Sequence, residues 1–297
     1  MYKIGIDLGG TNIAAAVVGF DNKIVAKESV PTGLPKTPDE IADSIAALVR
    51  SVASKAFVRM DEISVVGIGT PGAVNAEGVV ENDANLGFVN TPLREMLEER
   101  LGLVCRVGND ANCAALGEQI AGCGKGTRNF IAVTLGTGVG GGIILGGKLL
   151  TGVNGAAGEI GHMVIDREGI PCKCGRIGCF EQYASATALV NVAKEAFPDI
   201  TGAKDVFDLA HADNLRALEI IDDYTEYLAG GITNLINIFQ PEMICIGGGV
   251  AAQGEFILKP LREKVEKKRY TKNASVQTVI RAATLGNDAG LIGAANL

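Results

Sequence analysis

The chain of 297 residues carries 47% hydrophobic side chains, 40 glycines and no Trp, which excludes a disordered or low-complexity protein and leaves room for two domains of ordinary size. Its net charge of -7 excludes a broad electrostatic attraction to nucleic acid or to an anionic membrane, so any phosphate has to be bound locally. Seven cysteines, an odd number and too few for a disulfide scaffold, point to free thiols or metal ligands in a reducing compartment.

The first 30 residues alternate apolar runs with turn residues: Lys3 to Leu8, Ile13 to Val18 and Ile24 to Val30 read as three antiparallel strands. Asp7 falls where a signal peptide would be apolar and no run of about 18 apolar residues follows, so a soluble cytoplasmic protein is expected. Between the first two strands lies Asp7-Leu8-Gly9-Gly10-Thr11. Glycines there let backbone N–H groups approach a polyanion, the threonine adds a donor, and Asp7 could hold Mg²⁺ through water. An ordinary hairpin turn is the plainer reading of the same residues.

Thr37-Pro38-Asp39-Glu40 supplies an N-cap, a first-turn proline and a capping-box glutamate. Apolar residues at 41, 45, 48, 49, 52, 56 and 57 predict a long amphipathic helix behind them. A buried strand over Ser64 to Gly69 ends in Thr70-Pro71-Gly72, Thr91-Pro92 opens a second helix, and Leu103 to Val107 forms another strand. Asn109-Asp110 then starts a helix. Asp110 can be its N-cap, or a carboxylate that accepts the proton of a substrate hydroxyl as it attacks a γ-phosphate.

The opening pattern recurs in Asn129 to Leu135, Gly136-Thr137-Gly138, Val139 to Leu145, and Lys148 to Leu150, at a spacing of about 127 residues. This duplication implies two related α/β domains, over 1–117 and 118–286, with a cleft between them and with a helix over 287–297 packing back on the first. The run Gly136 to Gly141 has the letters of a dinucleotide fingerprint, but a strand follows where that fingerprint needs a helix, which excludes the NAD reading. A third cluster, Gly247-Gly248-Gly249, lies between the apolar strand Met243 to Ile246 and a helix. No Walker-type sequence occurs, so an ATP site has to be built from hairpin turns. The basic segment Lys259 to Lys272, with seven Lys or Arg against two Glu, has helical spacing and reads as a solvated helix face.

One Gly-rich loop, over 159–181, concentrates polar chemistry. His162, Cys172, Cys174 and Cys179 offer one imidazole and three sulfurs, the set for a closed tetrahedral structural zinc site, although the spacing is not a common finger spacing. A Cys-x-Cys disulfide would be strained and would leave the third cysteine over. Cys105, Cys113, Cys123 and Cys245 lie in strand or helix patterns and read as core.

Together Asp7-x-Gly9-Gly10-Thr11, Gly69-Thr70-Pro71-Gly72, Asn109-Asp110, Gly136-Thr137-Gly138, Glu159-Ile160-Gly161-His162, and Cys172-x-Cys174 through Cys179-x-Glu181 resemble the ROK family of sugar kinases and sugar-responsive repressors. The resemblance implies a two-domain actin-like ATPase fold of the hexokinase and ribonuclease H type, with ATP and a hexose meeting in the interdomain cleft. It implies Asp110 as general base on the sugar 6-hydroxyl. Gly69, Asn85, Asn109, Glu159, His162 and Glu181 would contact the sugar. Asp7, Gly9, Gly10, Thr11, Asn12, Thr137 and Gly138 would hold the phosphates and Mg²⁺, with Gly247, Gly248 and Gly249 near the adenosine. Asn12 departs from members with Lys or Thr there, which removes a charge contact to phosphate. The expected activity is ATP-dependent hexose phosphorylation, glucose leading, with N-acetylmannosamine, N-acetylglucosamine and fructose as alternatives. Repressor members carry an N-terminal helix-turn-helix extension, whereas the first strand here begins at residue 2, so the repressor reading ranks below the kinase. No nucleic-acid or membrane partner is expected, and the family implies a homodimer or homotetramer.

Overall fold

Three strands, β1 (Tyr2–Leu8), β2 (Asn12–Val18) and β3 (Ile24–Pro31), open the chain as an antiparallel meander. The helix α1 (Pro38–Lys55) follows, then β4 (Ile63–Thr70), a small sheet of β5 (Ala73–Val74), β6 (Val80–Asp83) and β7 (Phe88–Thr91), the helix α2 (Leu93–Leu101), β8 (Cys105–Asn109) and α3 (Asp110–Ala121). The pattern recurs as β9 (Phe130–Leu135), β10 (Val139–Leu145) and β11 (Lys148–Leu149). After the Gly-rich loop come α4 (Glu181–Ala184), α5 (Ala186–Ala196), α6 (Ala203–His211), α7 (Leu215–Phe239), β12 (Met243–Gly247), α8 (Glu255–Lys268), β13 (Val279–Ala282) and α9 (Asp288–Ala294). The computed structural model describes residues 1–83 and 85–297. Among them, no helix is long and apolar enough to cross a membrane.

The described residues form two units, the first of Met1–Gly126, Gly142–Gly158 and Thr284–Leu297, the second of Thr127–Gly141 and Glu159–Ala283. The sequence pattern placed a break at 117/118, whereas the first unit continues to Gly126. The reason is local: α3 runs to Ala121, and the turn beyond it is tied back by Gly122 and Gly124 N–H donating to the Glu118 carbonyl. Residues 142–158 also group with the first unit, where a Cβ on Gly155 would overlap the Val74 carbonyl.

In the first unit a five-stranded sheet has the order β3-β2-β1-β4-β8, with β1, β4 and β8 parallel. Thr37 and Glu40 close a reciprocal capping box on α1, with Glu40 N–H donating to Thr37 Oγ1 at 3.3 Å and Thr37 N–H to Glu40 Oε2 at 2.8 Å. The helix buries Ile41, Ile45, Leu48, Val49 and Val52 against Ile4, Ile6, Leu8 and Ile13 of the sheet. On the opposite face α9 approaches unusually closely. Cβ atoms on Gly5 and Gly67 would overlap the carbonyls of Leu291 and Ala294, and one on Gly293 would overlap that of Cys113 in α3. Small residues therefore let backbone meet backbone where a side chain would hold the elements apart.

Glu118 of α3 is fully buried, with no ion pair among the described residues. Its oxygens instead accept from the N–H groups of Cys123, Thr284 and Leu285 at 2.9, 2.8 and 2.7 Å, which stabilises the charge without a cation.

The second five-stranded sheet has the order β11-β10-β9-β12-β13, and the division between units falls within β10. In the second unit β12 lies parallel to both β9 and β13. The long helix α7 buries Ile220, Leu228, Ile232 and Leu235 along one face. The expected solvated face of α8 holds for Lys259, Lys267 and Lys268, which are exposed, whereas Lys264 is largely covered against α7, its Nζ 2.8 Å from Asp222 and 3.1 Å from Glu226.

Candidate active site

The register of the first sheet brings the first set of predicted residues to one level. Asp7 lies opposite Gly69, Gly69 opposite Gly108, and Thr70 opposite Asn109, so three parallel strands end together and Asp110 follows at once on the first turn of α3. The carboxyl ends of parallel strands are where open α/β sheets bind ligands. A Cβ on Gly69 would come within 3.2 Å of Cys113 Sγ and 3.5 Å of the Asp110 Cα. Glycine at 69 thus lets α3 start close against β4.

The first glycine turn is held from beneath. Gly9 N–H donates to the Asn12 carbonyl at 2.9 Å, while Thr32, which is fully buried, donates through Oγ1 to the Gly9 carbonyl at 2.6 Å and through N–H to the Thr11 carbonyl at 2.8 Å. Gly10, Thr11 and Asn12 stay exposed. Thr32 was not among the predicted residues, because its contact with the turn is set by the pairing of β3 with β2 and has no local motif.

Asp110 is not the N-cap of α3. That position belongs to Asn109, whose Oδ1 accepts from Asn112 N–H at 3.1 Å and whose Nδ2 donates to the Gly72 carbonyl at 3.3 Å. Asn109 is therefore engaged at both ends of its amide, and Asp110 stands one residue inside the helix with Oδ1 on its neighbour's N–H, that of Ala111, at 2.7 Å. Burial is the main cause that raises the Asp110 pKa, with the charge of Asp83 adding to it and the Ala111 N–H opposing. Water still reaches this side chain, which screens the contribution of the shift to stability. Burial, then the Asp110 charge, also raises the pKa of Asp7. Two hard oxygen donors that repel each other fit a site for a hydrated Mg²⁺, and Asp7 would hold it.

Asp83, also absent from the predicted set, is 7% exposed. Its Oδ2 accepts from Leu86 N–H at 2.8 Å, and its Oδ1 from Asn85 N–H at 3.3 Å and Asn85 Nδ2 at 3.4 Å. Leu86 is buried while Asn85 is exposed, its Cβ 3.7 Å from where a Gly10 side chain would begin.

In the second unit the β9–β10 turn closes through Gly136 N–H to the Gly138 carbonyl at 3.0 Å, and Ala186 N–H, at the start of α5, donates to the Gly136 carbonyl. Thr137 lies between those two glycines, and a Cβ on Gly138 would come within 2.8 Å of Glu181 Oε2. After β12, Gly248 has φ +85°, and a Cβ on it would overlap the Leu135 backbone. Gly247 pairs with Thr134 of β9, and Gly249 opens a 3-10 helix over Gly249–Gln253.

The four candidate ligands of the Gly-rich loop converge, although their spacing is not a common finger spacing. The ligand atoms of His162, Cys172, Cys174 and Cys179 all lie within 4.8 Å of one another. The Cys174 and Cys179 sulfurs are 3.5 Å apart, and Cys172 Sγ is 3.8 Å from His162 Nδ1. A tetrahedron with metal–sulfur bonds of about 2.3 Å has edges of about 3.8 Å, so this donor set fits Zn²⁺. Cys172 N–H donates to the Arg176 carbonyl and Gly175 N–H to the Cys172 carbonyl, with Gly175 at φ +87° closing the knuckle. Burial pushes the Cys172 and Cys179 thiols up, whereas the Arg176 backbone N–H pulls Cys174 down.

Glu181, the first residue of α4, touches this cluster: Cys172 Sγ donates to its Oε1 at 3.0 Å. Glu159 precedes a 3-10 turn over Ile160–His162 whose N–H at His162 returns to the Glu159 carbonyl at 3.1 Å. With Nδ1 toward the sulfurs, His162 keeps Nε2 for another partner.

The α/β units, the first with carboxylates at its strand ends, have the actin-like ATPase fold shared with solved hexokinases and glucokinases. The chain belongs to the ROK family, whose model matches residues 3–297. It is 40% identical to a glucokinase of Halalkalibacterium halodurans, over 98% of this chain and 93% of that one. A ROK family glucokinase from Streptomyces griseus, solved in complex with glucose and AMPPNP, has 35% identity and a TM-score of 0.84, covering 100% of this chain and 98% of that one. A ROK hexokinase from Thermus thermophilus has 34% identity and a TM-score of 0.88, covering 99% of this chain and 97% of that one.

Proposed function

We propose that this protein transfers the γ-phosphoryl group of ATP to the 6-hydroxyl of a hexose, with glucose the leading substrate. The observation that carries the reading is the strand-end register that sets Asp7, Gly69 and Asn109 at one level with Asp110 free of the capping role. Asp110 accepts the proton of the 6-hydroxyl as that oxygen attacks the γ-phosphorus; the bond from phosphorus to the β,γ-bridging oxygen breaks and ADP leaves. A base whose pKa is raised is better matched to that proton than an ordinary carboxylate. Asn85, Glu159, His162 and Glu181 supply directional donors and acceptors to the other hydroxyls, as a site that separates similar sugars requires. Backbone N–H groups of Gly9 to Asn12 and of Thr137 and Gly138 receive the phosphates, and Gly247 to Gly249 leave space for the adenosine. Mg²⁺ bound with the nucleotide supplies charge neutralisation, with Asp7 as its holder.

His162, Cys172, Cys174 and Cys179 hold a structural zinc in this reading. Four protein ligands leave no open position, so the metal orders the loop that bears Glu159 and Glu181 and takes no part in the transfer. The working partners are the hexose, ATP and further copies of the chain, as a cytoplasmic homodimer or homotetramer.

ADP release from Mg-ATP across glucose, mannose, fructose, N-acetylglucosamine and N-acetylmannosamine, with Asp110→Asn alongside, tests the reading. Turnover with at least one hexose, greatest with glucose and lost in Asp110→Asn, is the expected result. No turnover with any sugar would sink it.

A further inference from the structure

Asp83 is a buried carboxylate with no ion pair among the described residues. It spends its oxygens on the two residues that frame one exposed side chain: Leu86 N–H at 2.8 Å on Oδ2, and Asn85 N–H and Nδ2 at 3.3 and 3.4 Å on Oδ1. A carboxylate only accepts, so the amide of Asn85 has to turn its NH₂ toward Asp83; the opposite rotamer would set oxygen against oxygen. Asn85 Oδ1 then faces away from Asp83, and it accepts no hydrogen bond among the described residues.

We propose that Asp83 is a specificity-determining positioning residue: by holding Asn85 Nδ2 it fixes Asn85 Oδ1 as the atom presented to the sugar, so that this corner of the site reads a hydroxyl as a donor. The inference rests on the hexose-kinase reading and deepens it by assigning a polarity to one contact. An unconstrained asparagine presents either end of its amide and accepts a donor or an acceptor equally. Asp83 removes that freedom at no cost in charge repulsion with the neutral substrate. The effect on the sugar is indirect, because Asp83 itself stays buried behind Asn85.

Fluorine tests the polarity, since it accepts weakly and never donates. The experiment compares kcat/KM for glucose with the 2-, 3- and 4-deoxy and deoxyfluoro glucoses in the wild type and in Asp83→Asn. In the wild type, one ring position should show a deoxyfluoro sugar used no better than its deoxy counterpart, because fluorine meets an amide oxygen there. In Asp83→Asn the new side chain keeps Leu86 N–H, the shorter bond, on its oxygen and gives up the longer one from Asn85 N–H; its NH₂ then donates to the Asn85 side-chain oxygen, which turns the Asn85 NH₂ outward. The fluoro-to-deoxy ratio at that same position should then rise about two- to fivefold, the worth of one weak hydrogen bond, with the KM for ATP unchanged. A ratio unchanged at all three positions would overturn the proposal. If Asp83→Asn fails to fold, Asp83→Ala serves: with the Asn85 amide free to present either end, the fluoro-to-deoxy ratio should rise at that one position, and an unchanged ratio at every position would also overturn the proposal. A wild type inert toward all hexoses would remove the kinase reading and this assignment together, a result distinct from an unchanged ratio.

Discussion

Asp110 gains meaning from the residue before it. Because Asn109 caps α3 and Asp110 does not, Asp110→Asn leaves the helix start intact while removing the proposed proton acceptor. Its kcat should fall by about 10²- to 10⁴-fold with the KM for ATP little changed, checked by steady-state kinetics. The raised pKa adds two signs. Turnover needs the charged form, so the acid limb of kcat/KM should lie above the ordinary carboxylate pKa of about 3.9, and should disappear with the residue's activity in the variant. Stability runs the other way: a carboxylate with a raised folded pKa contributes below its unfolded value and loses that contribution as pH rises through the folded value. Asp110→Asn should therefore melt slightly higher than the wild type at pH 7, the gap closing as pH drops below about 4 in calorimetric scans. The capping role was ambiguous in the sequence because Asn and Asp cap equally well and stand side by side; only the acceptor of Asn112 N–H decides it. Asp83 and Thr32 were invisible for another reason, since each works through contacts that depend on a folded turn and carries no spacing of its own.

The elements divide between those stabilised by local rules and those stabilised by their neighbours. The helix α1 and the first three strands were legible because the capping box, the proline and the apolar period all agree within a short window. The convergence of the Cys and His side chains was legible for a similar reason, as all four fall within 18 residues, His162 to Cys179. Metal analysis should give about one zinc per chain, and chelation should lower the melting temperature and loosen the Glu159 to Glu181 segment in hydrogen exchange. A metal-free protein with unchanged exchange would reject that role. The helix α9 is different. It is short, but Gly5, Gly67 and Gly293 let it lie backbone-to-backbone on its neighbours, which no periodicity announces. Gly293→Ala should cost about 1–3 kcal/mol or more in urea melts, since the Cβ meets a carbonyl that cannot swing aside.

At the scale of the whole molecule, duplication was visible as a repeated strand-turn-strand pattern, yet the boundaries were not, because composition does not change where the chain passes between units at 126/127, 141/142, 158/159 and 283/284. What decides membership is long-range: Glu118 accepts from Cys123 on one side and from Thr284 and Leu285 on the other. Glu118→Ala takes the acceptor from three part-buried N–H groups that water reaches in part, so a loss of about 1–3 kcal/mol in all is expected from chemical denaturation.

The glycine-lined seat of α9 also fixes an order of events during synthesis. Residues 1–126 leave the ribosome before the second unit, but the groove over Gly5, Gly67 and Gly117 is filled only by residues 284–297, which are made after it. The earliest-synthesised unit is thus the last to be completed, and it waits through the whole of the second with an open apolar seam. Ribosome-stalled chains ending at 283 should remain protease-sensitive within residues 1–126, and adding the segment 284–297 should protect them.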